Sequence, residues 1–251
     1  MHEPDRVMPT LLALALLAGV GGGLFWLVAK GRELERRRDF GRKVLARKQG
    51  WSYSGNRSAR IDYQFTGSAN GVDWQMWYDS DRGDKSPTPR AHWKSANLRT
   101  RNLALLILGR RRFQLESGAF GRLLAGVAAG VVHAVSGHEP RSDKAEFYES
   151  AVEVEAGGPA FRERFAVAIA SDMPKAWLDA ELQQLLLAWP ATDGTRFRAE
   201  DSVEITLQAD GLQIAVDRMP QDTACWVHLA NLGEHLARRL VAAGTTGGDR
   251  T

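Results

Sequence analysis

The chain has 251 residues, of which 44% are hydrophobic and 25% charged, with a formal net charge of +3. The positive excess lies mostly between residues 30 and 48, so the remainder is close to neutral, which argues against nucleic acid as the main partner because that partner requires a strongly basic face. A single cysteine cannot form an internal disulfide, which agrees with a reducing compartment.

The first predicted element is a transmembrane helix over residues 11–29. This run carries no charge, and its length of about 28 Å would match a bilayer core of about 30 Å. Basic residues crowd the segment 30–48, and positive charge next to a span stays in the cytoplasm. The pattern predicts a single-pass protein of the bacterial inner membrane, with an external tail over 1–10 and a cytoplasmic C-terminal domain. A cleaved signal peptide is the alternative, disfavoured by the long apolar core and the absence of a basic n-region.

Gly19 and Gly23 lie one helical turn apart and share a face. Small residues at this spacing let two helices approach closely in lipid, which makes this pair a candidate helix-dimer face and a homodimer one candidate partner. The alternative is that glycine is simply common in membrane helices. Residues 30–49 are predicted to continue the helix as a basic juxtamembrane segment, which could contact anionic lipid headgroups and which Gly50 ends.

The first half of the remaining chain predicts β-structure. Residues 61–66 and 72–78 alternate apolar and polar side chains around the turn Gly67–Gly71, a pattern typical of a hairpin with one buried face. Further strands are expected over 91–95 and 103–108. The Trp77 side chain should point away from the core, either under a second layer or into a groove.

An apolar segment, Leu123–Val135, follows. It is too short to span a bilayer, so it predicts a core helix, with interfacial or re-entrant packing as the alternative.

The second half predicts a strand over 161–169 and then a helix that begins at Ser171–Pro174 and runs to Trp189. A hairpin with a type I′ turn at Asp210–Gly211 is expected next, pairing Leu207 with Ile214. The last predicted helix covers residues 224–243 and buries one face, formed by Cys225, Leu229, Leu232, Leu236 and Leu240.

The order of these elements resembles that of bacterial membrane-anchored proteins of unknown function. The resemblance covers roughly Gly50 to Leu240, mostly at core positions, and implies architecture and localisation but no activity. Its residues are Gly50-Trp51-x-Tyr53, Phe161-x-x-x-Phe165-x-Val167, Asp172, Val203-x-Ile205-x-Leu207 and Gly211-Leu-x-Ile214.

Two clusters invite a chemical interpretation, and neither is predicted to be a site. Cys225, His228 and His235 lack the second cysteine that a zinc site of this type needs, so Cys225 is interpreted as a buried thiol beside solvated histidines. A Cys–His nucleophile pair is the alternative. The segment Asp79–Asp84 departs from calcium-loop spacing because its glycine comes one residue early, so a solvated loop is preferred.

The arginines upstream of Leu123 form a basic cluster. Such charges are usually solvated, but close to a membrane they could contact anionic lipid headgroups. The candidate lipid-contact residues are Arg99, Arg101, Arg110, Arg111, Arg112 and Arg122.

The sequence thus predicts an α+β domain of antiparallel hairpins packed by helices over residues 50–243, divisible into halves 50–115 and 145–243, before a disordered tail at 244–251. The preferred function is a membrane-tethered cytoplasmic interaction or regulatory module. An anionic-lipid sensor and a hydrolase-like enzyme with an unrecognised site are the alternatives. No catalytic, cofactor or metal-binding residue is predicted, because no phosphate loop, nucleophile elbow or zinc motif occurs.

Overall fold

A computed structural model describes residues 7–55, 61–79, 89–100, 103–117, 147–148, 151–155, 157–171, 173–190 and 197–244, apart from the side chains of residues 7–25 and 28. The chain divides into two compact units, residues 1–48 and 49–251. The predicted helix over Leu123–Val135 and the predicted tail after Gly244 lie outside the described residues.

The first unit contains one described helix, α1, which runs from Val7 to Gln49. Ion pairs one turn apart support its charged half: Arg37 Nε lies 3.0 Å from Glu33 Oε1, and Lys43 Nζ lies 2.8 Å from Asp39 Oδ2. Gly50 follows with a φ of 72°, a left-handed conformation that ends helices. The predicted helix end at this glycine is therefore confirmed.

The predicted membrane anchor is corrected. Among the residues that the structure describes, no helix is both long enough and apolar enough to cross a bilayer. The described side chains of α1 include exposed Trp26 and Leu27, and from Lys30 onward the helix is densely charged. The prediction of a transmembrane helix over 11–29 is therefore wrong, and with it the single-pass topology and the inner-membrane location.

The second unit is built on one nine-stranded sheet, in which every described strand pair is antiparallel. The spatial order is β1-β2-β3-β4-β9-β8-β5-β7-β6, so both halves of the unit contribute to the same sheet. The fold is thus α+β with antiparallel pairing. The strands are β1 Ser52–Ser54, β2 Ile61–Ala69, β3 Val72–Asp79, β4 Arg90–Ser95, β5 Leu105–Gly109, β6 Val152–Glu153, β7 Phe165–Ile169, β8 Val203–Gln208 and β9 Gly211–Asp217.

A long C-terminal helix packs on one face of this sheet. Its Trp226 ring contacts the rings of Tyr63, Phe65 and Tyr78, and the helix lies against β3 and β4. Gly233 lets the helix approach closely, because a Cβ there would overlap the Trp93 ring. The helices of the second unit are α2 Arg110–Ser117, α3 Pro159–Arg164, α4 Ala180–Leu187 and α5 Thr223–Ala242, with a 3₁₀ turn at Ala199–Asp201.

The opposite side of the sheet, called here the second face, is apolar at one end only. Leu106 and Leu108 of β5 pack with Phe113 of α2 and with Phe147, forming a second core cluster. Strands β5 and β7 are accordingly buried on both faces, which explains their continuous apolar sequences. Toward β1–β4 the second face becomes polar.

Several boundaries differ from the sequence prediction. The first hairpin turns at Asn70–Gly71 rather than over five residues, with a positive φ at both positions. The second hairpin pairs Leu207 with Leu212, a shift of two residues from the predicted register that keeps every side chain on its predicted face. Phe161 lies in helix α3, not in a strand.

The helix predicted from Ser171 begins later, at Ala180. The Asp179 carboxylate accepts a hydrogen bond from Leu182 N at 2.8 Å and caps α4 there. The Ser-x-x-Pro pattern is therefore a poor guide at this position, because a stronger capping geometry lies eight residues downstream.

Candidate functional site

The polar part of the second face is built by successive register partners. Thr66, Gln75, Lys94 and Gln213 form one row across β2, β3, β4 and β9. Their neighbours in sequence point into the core, because side chains alternate between the two faces of a strand. Local alternation combined with strand order thus lines up polar side chains from four strands.

At the β1 end of this row the surface forms an open groove of about 630 Å³, called here the polar groove. This size falls within the range of about 300–1,000 Å³ typical of small-molecule sites. Ser52, Thr66, Ser68, Asp73 and Gln75 present exposed side chains in it. The lining residues are Gly50, Ser52, Thr66, Gly67, Ser68, Asp73, Trp74, Gln75, Lys94, Ala96 and Asn97.

Hydrogen bonds hold two of these polar side chains in place. Gln64 Nε2 donates to Gln75 Oε1 at 3.0 Å, and Lys94 Nζ donates to Asp210 Oδ2 at 2.6 Å. Burial acts to raise the pKa of Asp210, but hydrogen bonds from Lys94 and Gln208 outweigh it, and the pKa is lowered. Asp210 therefore stays ionised near neutral pH and fixes the Lys94 ammonium at the groove.

A stacked aromatic pair lies on the same face of the sheet, two residues along β3 and β4 from Gln75 and Lys94. The rings of Trp77 and His92 are 4.7 Å apart and inclined by 8°, and Gln213 Nε2 lies 3.3 Å from His92 Nδ1. Burial, and then the charge of Arg90, lower the pKa of His92 to about 4. The imidazole is therefore neutral at pH 7, and with Gln213 as the donor it carries its proton on Nε2. The predicted orientation of Trp77 away from the core is confirmed.

Two of the candidate lipid-contact arginines form ion pairs with carboxylates of the same chain. Arg110 pairs with Glu153 at 3.0 Å and also donates to backbone carbonyls, and Arg112 pairs with Glu204 at 2.7 Å. Arg99 donates to Ala96 O at 2.6 Å, while Arg111 is exposed. Arg101 and Arg122 lie outside the described residues. A lipid-contact role for this cluster stays a prediction.

The cysteine is buried as predicted. The Cys225 side chain is fully enclosed, and burial, with a smaller effect of Asp222, raises its pKa to about 11. A protonated, enclosed thiol is neither a nucleophile nor a metal ligand at neutral pH.

The two histidines of the same helix are not solvated, so that prediction is wrong. His228 Nε2 donates to Leu185 O at 2.7 Å, and burial lowers its pKa against the opposing effect of this bond. His235 is 5% exposed and lies 2.9 Å from Asp179 Oδ1, while Arg238 Nη2 lies 2.9 Å from its Nδ1. Through these hydrogen bonds both imidazoles join α5 to α4 and its N-cap residue, Asp179.

Two other predicted features lie wholly or partly outside the described part of the chain. Residues 80–84 of the calcium-loop candidate and the Gly19–Gly23 face lie outside the described residues or side chains. Within the described part of the chain, no group of three or more His, Cys, Asp or Glu side chains is arranged to hold a metal ion.

Comparison with protein families, with curated proteins and with solved structures finds no match to this chain. The resemblance to membrane-anchored bacterial proteins therefore stays a prediction, and the polar groove must be interpreted from its own chemistry.

The polar groove was not predicted from the sequence. A signal for it was available: the outward positions of the first hairpin, Thr66, Ser68, Asp73 and Gln75, carry hydroxyl, amide or carboxylate groups. Such residues are equally typical of a plain solvated face, and only strand order places Lys94 and Asn97 beside them.

Proposed function

We propose that this protein is a non-enzymatic interaction module that binds its partner in the polar groove. The proposal keeps the interaction role predicted from the sequence and does not include a membrane tether. The observation that carries it is the ordered set of polar groups at the groove, in which Gln75 and Lys94 are each fixed by a second side chain. Groups held in position lose less conformational entropy on binding, which favours recognition.

The state of three described side chains, of types that often serve in catalysis, supports binding over chemistry. Cys225 is enclosed with a raised pKa, and His228 and His235 are each committed to structural hydrogen bonds. A general base or nucleophile must reach a reacting atom, which these groups do not do. The exposed polar groups of the groove are better suited to hydrogen bonding with a bound partner.

A site-specific crosslinking experiment tests this proposal. A photoreactive amino acid replaces Ala96, an exposed residue that lines the groove, in the full chain in its native cells, and a matched variant carries it at Glu163, which is exposed on α3. We expect a discrete adduct at position 96 that is lost when Lys94→Met is added. Absence of that adduct, or equal labelling at position 163, would show that the groove is not the interaction site.

A further inference from the structure

We infer that the polar groove takes a neutral, polyhydroxylated ligand of the size of a short oligosaccharide. This inference rests on the proposed function and specifies its ligand. It draws on two properties of the groove: its charge balance and its hydrogen-bonding groups.

The charges at the groove favour a neutral ligand. Its lining contains one carboxylate, Asp73, and one ammonium, Lys94, which is already paired with Asp210 at 2.6 Å. An anionic ligand would meet the Asp73 carboxylate while competing with Asp210 for Lys94. A cationic ligand would meet the Lys94 ammonium. A neutral ligand meets neither repulsion.

The hydrogen-bonding groups match hydroxyls. Ser52, Thr66 and Ser68 each both donate and accept, as does every hydroxyl of a sugar. Gln75 Oε1 already accepts from Gln64, so the Gln75 amide offers N–H donors, while Asp73 on the same strand offers only acceptors. Donors and acceptors two residues, or about 7 Å, apart on one strand face suit hydroxyls at separate positions of a sugar chain, each of which donates one bond and accepts another.

The test is a titration of the full chain, labelled with ¹⁵N, with maltotriose, cellotriose and tri-N-acetylchitotriose as neutral probes. Inorganic phosphate and spermidine serve as the anionic and cationic probes. We expect at least one trisaccharide to shift the backbone amides of Gly67, Asp73 and Asn97 saturably. We expect the affinity for that trisaccharide to fall at least tenfold in Asp73→Ala and in Gln75→Ala, and to stay within twofold in Glu163→Gln.

Circular dichroism of each variant establishes that it is folded, and the two substituted groove side chains are exposed, so the fold should be retained. Saturable shifts at these amides with phosphate or spermidine only, or with no probe, would overturn the inference. If the position-96 adduct forms with a protein while every trisaccharide fails, the ligand class is wrong and the interaction role stands. If both experiments fail, the proposed function is wrong as well.

Discussion

At the scale of single residues, His92 shows how a strand position can set a pH response. It lies on the second face between Trp77 and Gln213, and burial is the main reason that its pKa falls to about 4 from an ordinary value of 6.5. This histidine was not predicted to be special, because its alternation with Ala91 and Trp93 indicates only that it faces away from the core.

The lowered pKa of His92 predicts a loss of stability in mild acid. The unfolded chain binds a proton at this residue near pH 6.5, whereas the folded chain does so only near pH 4. The stabilising contribution of the neutral imidazole is therefore complete above pH 6.5 and is lost as the pH falls toward 4. Between pH 7.5 and 5 we expect the wild type to lose about 2 kcal/mol more unfolding free energy than His92→Gln.

Urea unfolding at the two pH values measures this difference, and titration of the His92 ring by NMR supplies an independent check. The other histidines are common to both proteins, so their contributions cancel in the comparison. Equal pH dependence of the wild type and the variant would contradict the assignment.

At the scale of elements, α4 and α5 are joined through one carboxylate. Asp179 caps α4 through Leu182 N and accepts a bond from His235 of α5 at 2.9 Å, and Arg239 Nε lies 3.0 Å away. Burial acts to raise the pKa of Asp179, but the bonds from Leu182 and His235 and the charge of Arg239 outweigh it and lower the pKa. The carboxylate therefore stabilises the fold above its ordinary pKa, and this contribution is lost as the pH falls below it.

This arrangement predicts energetic coupling between Asp179 and His235. In a double-mutant cycle with Asp179→Ala and His235→Ala, we expect a coupling of about 1–3 kcal/mol, the scale of a buried hydrogen bond to a charged group. Denaturant unfolding of the four proteins measures it.

The matched control uses Glu181, which is 3.4 Å from His235 Nδ1 but has a side chain 67% exposed to solvent. Its cycle with His235 should give a coupling below about 0.5 kcal/mol, because solvent screens exposed pairs. Similar coupling energies in both cycles would contradict the prediction that Asp179 stabilises His235 more strongly than the exposed Glu181 does.

At the scale of the whole molecule, the sheet has a protected interior and short edges. Strands β5 and β7 are buried on both faces, whereas the edge strands β1 and β6 contain three and two residues. Short edge strands limit unwanted pairing with other chains. The same arrangement places the polar groove at the β1 end, where the described helix α5 packs on the opposite face of the sheet.

Amide hydrogen exchange should follow this arrangement. We expect the slowest exchange in β5, β8 and β9, since these strands are paired on both sides and have buried neighbours, and exchange at least a hundredfold faster in β1 and β6, the terminal strands of the described sheet. Mass spectrometry of exchanged peptides resolves these strands. Slow exchange in β1 comparable to that in β5 would contradict the inferred gradient of local stability.

The sequence alone determined which residues share a face. Alternation placed Tyr63, Phe65 and Trp74 in the core and Trp77 outside it, and helical spacing identified the buried side of α5, because both periodicities are local properties of the backbone. These predictions are confirmed even in the second hairpin, where the register differs by two residues, since an even shift exchanges partners without exchanging faces.

Only the tertiary structure decided which elements meet. Alternation is the same whatever strand lies alongside, so nothing local could show that β4 pairs with β9, or that His235 reaches Asp179 56 residues away. The polar groove depends on that long-range order, because Lys94 becomes a fixed donor only where β4 brings it to Asp210. The alternation of side chains follows from the local sequence, whereas strand order is set by the packing of the complete core.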